Sequence, residues 1–262
     1  MAEWAHMARH GKRSHPTSQR FSRGGQAFSK KNPKQGKQFW DKEYAGAQNL
    51  ALSTEPSEDV VKFTRFLERH DPAALSPDER AADLGCGNGR NLVHLARTYG
   101  IGGAGFDISQ EAIAQARSLG EGLHLSYEVR SLADPVLLTD ESHVIVIDAM
   151  ASHVLPKAGR DRLRAEEARI LKPNGWLFLK TFLREGDLHA ERMLRDHPAS
   201  EDGSYIHPKI GIMEHVYTEE DLAEELAPYF EVVKTIKSYR HRDKAGRAFK
   251  RRSIVVYARK NG

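Results

Sequence analysis

The residues best suited to chemistry are Asp83-Leu84-Gly85-Cys86-Gly87-Asn88-Gly89, which fall where an apolar run of strand length gives way to a stretch of helical period. Glycines at such a junction let the backbone turn with positive φ and approach a ligand closely. The free N–H groups of the helix start then favour a carboxylate or phosphate. A dinucleotide site uses the same physics with the spacing G-x-G-x-x-G, but its third glycine position is taken here by Arg90, whose bulk opposes close packing and disfavours a nicotinamide cofactor. The next strand-like run ends in Gly105-Phe106-Asp107-Ile108-Ser109. An acid at that place can accept both hydroxyls of a ribose, at roughly 1.5–3 kcal/mol per hydrogen bond to the charged group. Together the two features point to a nucleoside ligand.

The elements that position these residues follow from periodicity. From Ser57 onward, apolar runs alternate with helical stretches, the pattern of a parallel sheet covered by helices. Ser57 is placed to cap a helix with Val60, Phe63, Thr64 and Leu67 on one face, ended by Asp71-Pro72. Strands are predicted at Ala81–Leu84, Gly103–Ile108 and Leu123–Val129. The wholly apolar Val144–Ile147 reads as a central strand buried on both faces. A helix over Gly159–Leu171 leads through the turn Lys172-Pro173-Asn174-Gly175 into a fifth strand at Trp176–Leu179. Ser109 and the Thr218–Asp221 capping box start further helices. Glu231–Tyr239 and Ser253–Ala258, separated by Asp243–Gly246, read as a closing antiparallel hairpin, which makes seven strands.

The chain has 262 residues and one cysteine, Cys86, so an intrachain disulfide and a cysteine-based metal cluster are excluded and a reducing, cytoplasmic setting is expected. Neither a membrane span nor a secretory signal is expected, since no apolar run reaches the required length. Charge is uneven. Residues 1–38 carry nine Lys/Arg against Glu3, and residues 234–262 carry eleven against Asp243, which leaves 20 basic and 34 acidic residues between. The first segment is rich in Ser, Gly, Gln, Lys and Arg, so residues 1–38 read as a disordered basic tail and residues 39–262 as the folded domain. Such a tail can condense on nucleic acid, and so can the basic hairpin with its Lys250-Arg251-Arg252 cluster; a solubilising extension, a charge-guarded sheet edge and a transit peptide fit as well.

In its Asp83–Gly89 motif, in Asp107, in the Leu-Lys-Pro-Asn-Gly turn at 171–175 and in the closing hairpin, the chain resembles the class I S-adenosylmethionine-dependent methyltransferases over roughly residues 39–262. Asp83–Asn91 with the opening Phe39-Trp40-Asp41-Lys42-Glu43-Tyr44 looks like the tellurite-resistance-type group. Tyr217–Leu222 and Ser253–Lys260 are similar to methyltransferase-like enzymes that modify tRNA cytosines. The resemblance implies a Rossmann-like, seven-stranded, mostly parallel α/β sheet with helices on both faces and a C-terminal antiparallel hairpin. It implies S-adenosyl-L-methionine as cofactor, with its methionyl end against Asp83, Gly85, Cys86 and Gly87, its ribose on Asp107 and its adenine on Ile108. Ser131 and Leu132 stand where the family often has an acid for the adenine amino group, with Asp134 displaced from that place.

The segment that faces the reacting methyl in this family reads Asp148-Ala149-Met150-Ala151-Ser152-His153, which is not the Asn/Asp-Pro-Pro-aromatic box of amino-methylating branches. Asp148 is expected to line the cofactor or acceptor, and His153 to serve as general base or to satisfy backbone groups. Trp40 and Tyr44 are placed as a lid or as packing anchors. His207 and His215, with Glu214 and Tyr217, lie in the insert where the acceptor pocket is usually built; no metal site is expected. The expected reaction is direct in-line methyl transfer to a small-molecule or RNA acceptor. The alternative is an RNA-associated, catalytically idle cofactor-binding scaffold.

Overall fold

A computed structural model describes residues 33–46, 52–238 and 251–262. Five strands run parallel: β1 (Arg80–Leu84), β2 (Gly102–Asp107), β3 (Leu125–Val129), β4 (His143–Ala149) and β5 (Leu171–Phe182). A small antiparallel pair, β6 (Ser204–Ile206) and β7 (Met213–His215), stands apart. Antiparallel β8 (Phe230–Lys237) and β9 (Ser253–Lys260) complete the main sheet, whose seven strands are ordered β3-β2-β1-β4-β5-β9-β8.

The helices are α1 (Pro33–Ala45), α2 (Glu58–His70), α3 (Arg90–Tyr99), α4 (Gln110–Leu119), α5 (Lys157–Ile170), α6 (Leu188–Asp196) and α7 (Glu219–Leu226). They cover both faces because the strands bury both. On β4, Ile145 and Ile147 join the layer of Phe63, Leu67 and Phe178, while Val146 joins the opposite layer with Leu163, Leu177 and Leu222. The order reverses at β1, which pairs with β2 on one side and β4 on the other. Crevices for ligands open at such a switch point, outside the carboxyl ends of the strands.

Several local expectations need correction. Ser57 occupies the N-cap position of α2 without a side-chain cap bond; its amide instead donates to Asn91 Oδ1 at 3.1 Å, tying α2 to α3. The Lys172–Gly175 turn is a bulge within β5, between the pairings His143↔Leu171 and Ile145↔Trp176, with Asn174 left-handed at φ 60°. Strand β3 begins at Leu125, two residues later than its alternation suggested. Helix α1 starts at Pro33, inside the segment read as tail. The Asp243–Gly246 turn, Lys250 and residues 1–32 lie outside the described residues. Ser109 and Thr218 do cap α4 and α7, the latter in a full capping box with Asp221.

Candidate functional site

The glycine turn after β1 is built on left-handed backbone at Gly85 (φ 85°), Gly87 (φ 55°) and Gly89 (φ 76°). Side chains are excluded there twice over. A Cβ on Gly85 would stand 2.2 Å from the Ala151 Cβ, and one on Gly87 would stand 2.2 Å from the Tyr44 hydroxyl, besides the strain of the backbone itself. The Gly85 and Cys86 amides donate to the Phe106 carbonyl at 2.7 and 2.9 Å. The buried Asp107 carboxylate accepts from Gly87 N and Ser109 N, both at 2.9 Å, and so joins the turn to the start of α4. Burial raises the Asp107 pKa, an effect these amides oppose and Asp41 adds to.

Asp83 lies beneath this turn, wholly buried, and neither carboxylate oxygen has a hydrogen-bond partner. Burial pushes its pKa up to about 8; the Asn91 side chain opposes the rise, while Asp107 and Asp148 reinforce it. A buried carboxylate without a partner is costly and calls for a cation or a donor. Cys86 is buried against the same acids, so its thiol is raised well above the usual range and stays neutral.

Helix α1 closes one side. The Asp41 carboxylate accepts from Ser109 Oγ at 2.9 Å and Gln110 N at 2.8 Å and pairs with Lys37 at 2.7 Å. Burial would raise Asp41, but these partners outweigh it and hold it below its ordinary value. The Tyr44 carbonyl accepts from Gln115 Nε2 at 2.6 Å. The resulting cleft of about 140 Å³ is lined by Tyr44, Ser53, the Gly85–Asn88 turn, Met150 and Lys180. A larger hollow of about 180 Å³ sits at the opposite, amino end of the strands, around Glu79, Arg80 and Gly102, away from the glycine turn.

The structure thus brings Asp83, Gly85, Cys86, Gly87 and Asp107 together at one strand end. Leu132 Cδ1 comes within 3.6 Å of the Cβ position of Gly85. Ile108 is half-buried just after β2, and the Ser131 hydroxyl accepts from Ala133 N at 3.1 Å; Asp134 is exposed. Tyr44 lines the cleft, whereas Trp40 packs edge-on against Phe39 at 5.1 Å and lines no part of it.

The Asp148 side chain is wholly buried and bonded within the fold. Its oxygens accept from Ser152 N at 3.1 Å and from Arg164 Nη2 at 2.6 Å, within a buried network that also holds Glu167 and Glu225. His215 turns the same way, bonding Ser204 Oγ at 2.8 Å near Glu201; burial first, and Arg160 next, lower its pKa to about 4. Its neighbour Glu214 points oppositely, as alternate residues of a strand must. Glu214 receives Arg251 Nη1 at 2.6 Å and the Tyr205 hydroxyl.

His153 belongs to this second group. It is buried, its ring lies edge-on to Phe182 at 4.9 Å, and its Nδ1 has no partner. Burial lowers its pKa to about 4, with Arg251 contributing and Glu214 opposing. His207 stacks on His189 at 6.2 Å in the same neighbourhood. Sequence reading singled out neither Met150, Lys180 and Phe182 in and beside the cleft nor His189, and it took Arg251 only as part of a basic cluster. Met150 carries one late signal, a bulky residue at φ 63° in the cleft wall, where strain marks functional sites. No group of three or more His, Cys, Asp or Glu that could hold a metal converges among the described residues.

Residues 81–175 match the methyltransferase-domain family. An uncharacterised protein of Haemophilus influenzae is 30% identical over 121 residues, covering 44% of this chain and 47% of that protein. A ubiquinone biosynthesis O-methyltransferase of Burkholderia thailandensis is 32% identical over 119 residues, covering 44% and 49%. The matches therefore span about half the length of these curated relatives. Among solved structures, a SAM-dependent methyltransferase of Methanosarcina mazei superposes with a TM-score of 0.60 at 26% identity, over 73% of this chain and 97% of that one. With the sheet order, the glycine turn and the acid after β2 already in place, residues 81–175 are a methyltransferase domain, and the matches together support a class I S-adenosylmethionine-dependent methyltransferase, whose cofactor is S-adenosylmethionine.

Proposed function

We propose that this chain transfers the methyl group of S-adenosylmethionine to a small-molecule acceptor. The observation that carries the cofactor site is Asp83, a buried carboxylate without a partner beneath a glycine cradle that admits no Cβ. The cofactor supplies a methyl carbon on a positively charged sulfur, with a neutral thioether as leaving group. Asp83 holds a proton at neutral pH until a cationic ligand end displaces it, and then supplies the countercharge. Asp107 keeps lone pairs free beyond its two amide bonds, and these fit a pair of vicinal hydroxyls. Leu132 and the half-buried Ile108 offer apolar surface for a base, and Tyr44 on α1 covers the turn against water.

No covalent enzyme intermediate is needed. Holding acceptor and methyl donor in line contributes up to about 7–11 kcal/mol, and the chain's share of the work is that positioning. His153 is a neutral imidazole at neutral pH, able to take a proton at Nδ1 but weak as a base, which suits an acceptor that is already nucleophilic.

A small acceptor is favoured because described basic residues of the closing strands are already engaged. Arg259 pairs with Asp71 at 2.6 Å, Lys260 with Glu141 at 3.3 Å and Lys237 with Glu219, while Lys234 sits 5.4 Å over the Phe66 ring. The half-length match to a ubiquinone biosynthesis O-methyltransferase supports the same reading. The test is incubation of the full chain with methyl-labelled cofactor and cell extract, separated into RNA, protein and small-molecule fractions. Label in the small-molecule fraction is expected. Label in RNA overturns the acceptor class, and S-adenosylhomocysteine binding with no label anywhere favours the idle scaffold.

A further inference from the structure

Unpartnered buried polar atoms are concentrated beyond the cofactor cleft. Five that share one neighbourhood are His153 Nδ1, His189 Nε2, His207 Nδ1 and both Nε and Nη2 of Arg251; others, such as His94 Nε2 and the Tyr257 hydroxyl, are scattered singly. Contacts connect their owners: Arg251 lies 3.2 Å over the Phe182 ring and 5.7 Å from the Tyr205 ring, His153 meets Phe182 at 4.9 Å, and His189 is 6.4 Å from Tyr205 and 6.2 Å from His207. The residues come from five separate places, namely the turn after β4, the end of β5, α6, the β6–β7 hairpin and the segment just before β9. Only the tertiary fold assembles them.

The chemistry of the missing partner can be read from these atoms. Guanidinium N–H groups only donate, so Nε and Nη2 require an acceptor. These two nitrogens form one edge of the planar fork, the edge that matches two oxygens of a carboxylate or phosphate. Glu214 takes the other side through Nη1. Its Oε2 already serves that nitrogen and the Tyr205 hydroxyl, so it leaves the fork unfilled. The histidines, held neutral by burial, each carry one ring N–H that the tautomer can turn toward an anion without adding charge. No metal-ligand set of three forms among the described residues, which argues against a cation. The Arg251 side chain keeps 19% of its surface exposed, while Nε and Nη2 themselves are buried.

Position ties the group to the reaction. Phe182 follows Lys180 by two residues on the same face of β5, about 7 Å along the strand, and Lys180 lines the cofactor cleft. His153 follows the cleft residue Met150 by three. We infer that the acceptor carries a carboxylate or phosphate group, which docks on the Nε–Nη2 edge of Arg251 within the ring of His153, His189 and His207. The inference rests on the methyltransferase reading above and names the class of its acceptor.

The test follows the Arg Nε–H resonances of the full chain, saturated with S-adenosylhomocysteine, while benzoate, inorganic phosphate or an oligouridylate is titrated in. Arg251 is assigned by the signal that disappears in Arg251→Lys. A saturable shift of that signal with benzoate or phosphate is expected, and whichever binds names the group. Arg251→Gln should raise the Kd of that anion about ten- to a hundred-fold by removing charged hydrogen bonds, with S-adenosylhomocysteine affinity unchanged as the measure of intact folding. Glu214→Gln, which keeps the fork, should retain anion binding. No saturable shift with either small anion, while S-adenosylhomocysteine still binds, overturns the inference and leaves the methyltransferase reading standing. A shift with oligouridylate alone overturns it in favour of a nucleic-acid backbone, and failure of S-adenosylhomocysteine to bind overturns both readings.

Discussion

Replacing Asp83 by Asn separates a carboxylate held for a ligand from one held for the fold. The group is wholly buried, has no hydrogen-bond partner and has its pKa raised from 3.8 to about 8, by burial first and by Asp107 and Asp148 after it, against the Asn91 side chain. Between those two values the folded chain keeps a proton that the unfolded chain has released. Stability is therefore undiminished by this group below 3.8, falls as pH rises through the window and levels off above about 8. Each pH unit in the window costs about 1.4 kcal/mol, so the interval from 3.8 to pH 7 amounts to about 4 kcal/mol as an upper bound. Asn has nearly the same shape and never ionises. Asp83→Asn should gain about 2–4 kcal/mol at neutral pH, read as a rise in Tm of roughly 5–10 °C at pH 8 that vanishes near pH 4. The same variant should bind S-adenosylhomocysteine at least about tenfold more weakly, since an amide gives a cationic ligand end no countercharge. Thermal melts across pH and calorimetric titration supply both readings. Equal pH slopes in the two proteins, or a lower Tm for the variant at pH 8, would refute the reasoning.

Asp107→Asn should weaken S-adenosylhomocysteine about ten- to a hundred-fold in the same titration, because an amide cannot serve the Gly87 and Ser109 amides and two hydroxyls together. Gly85→Ala should cost about 1–3 kcal/mol in denaturant unfolding and abolish cofactor binding; adding Ala151→Gly should recover part of both by removing the 2.2 Å clash but not the φ strain. Arg164→Met should cost about 3–5 kcal/mol in denaturant unfolding by leaving the fully buried Asp148 and Glu167 without their shared guanidinium. A variant as stable as the parent at pH 8 would count against that network.

The fold was legible because its signals are local and periodic. A strand such as β4, apolar at every position from Val144 to Ile147, can only be buried on both faces, and the glycine turn with its left-handed positions advertises close approach. The cap of α4 at Ser109 and the capping box at Thr218 were equally plain, since each bond spans a few residues. The β6–β7 pair was missed because three-residue strands are too short to show a period. The candidate site divided along the same line. Asp83, Gly85, Gly87 and Asp107 sit at ends of adjacent parallel strands, so naming the strands placed them together.

Asp148 and His215 were misplaced for a reason that spacing cannot express. Asp148 is met by Arg164 on α5, and His215 by Ser204, its cross-strand neighbour in the β6–β7 pair that the sequence did not reveal. Residue types and their intervals determined the sheet, the glycine turn after β1 and the acid at the end of β2, because strand and helix periods are properties of neighbouring residues. Which charges are spent on one another and which are left for a ligand was decided only in three dimensions. Ion pairs such as Arg251 with Glu214 and unpartnered groups such as the Asp83 carboxyl depend on distances between segments that the order of residues does not record.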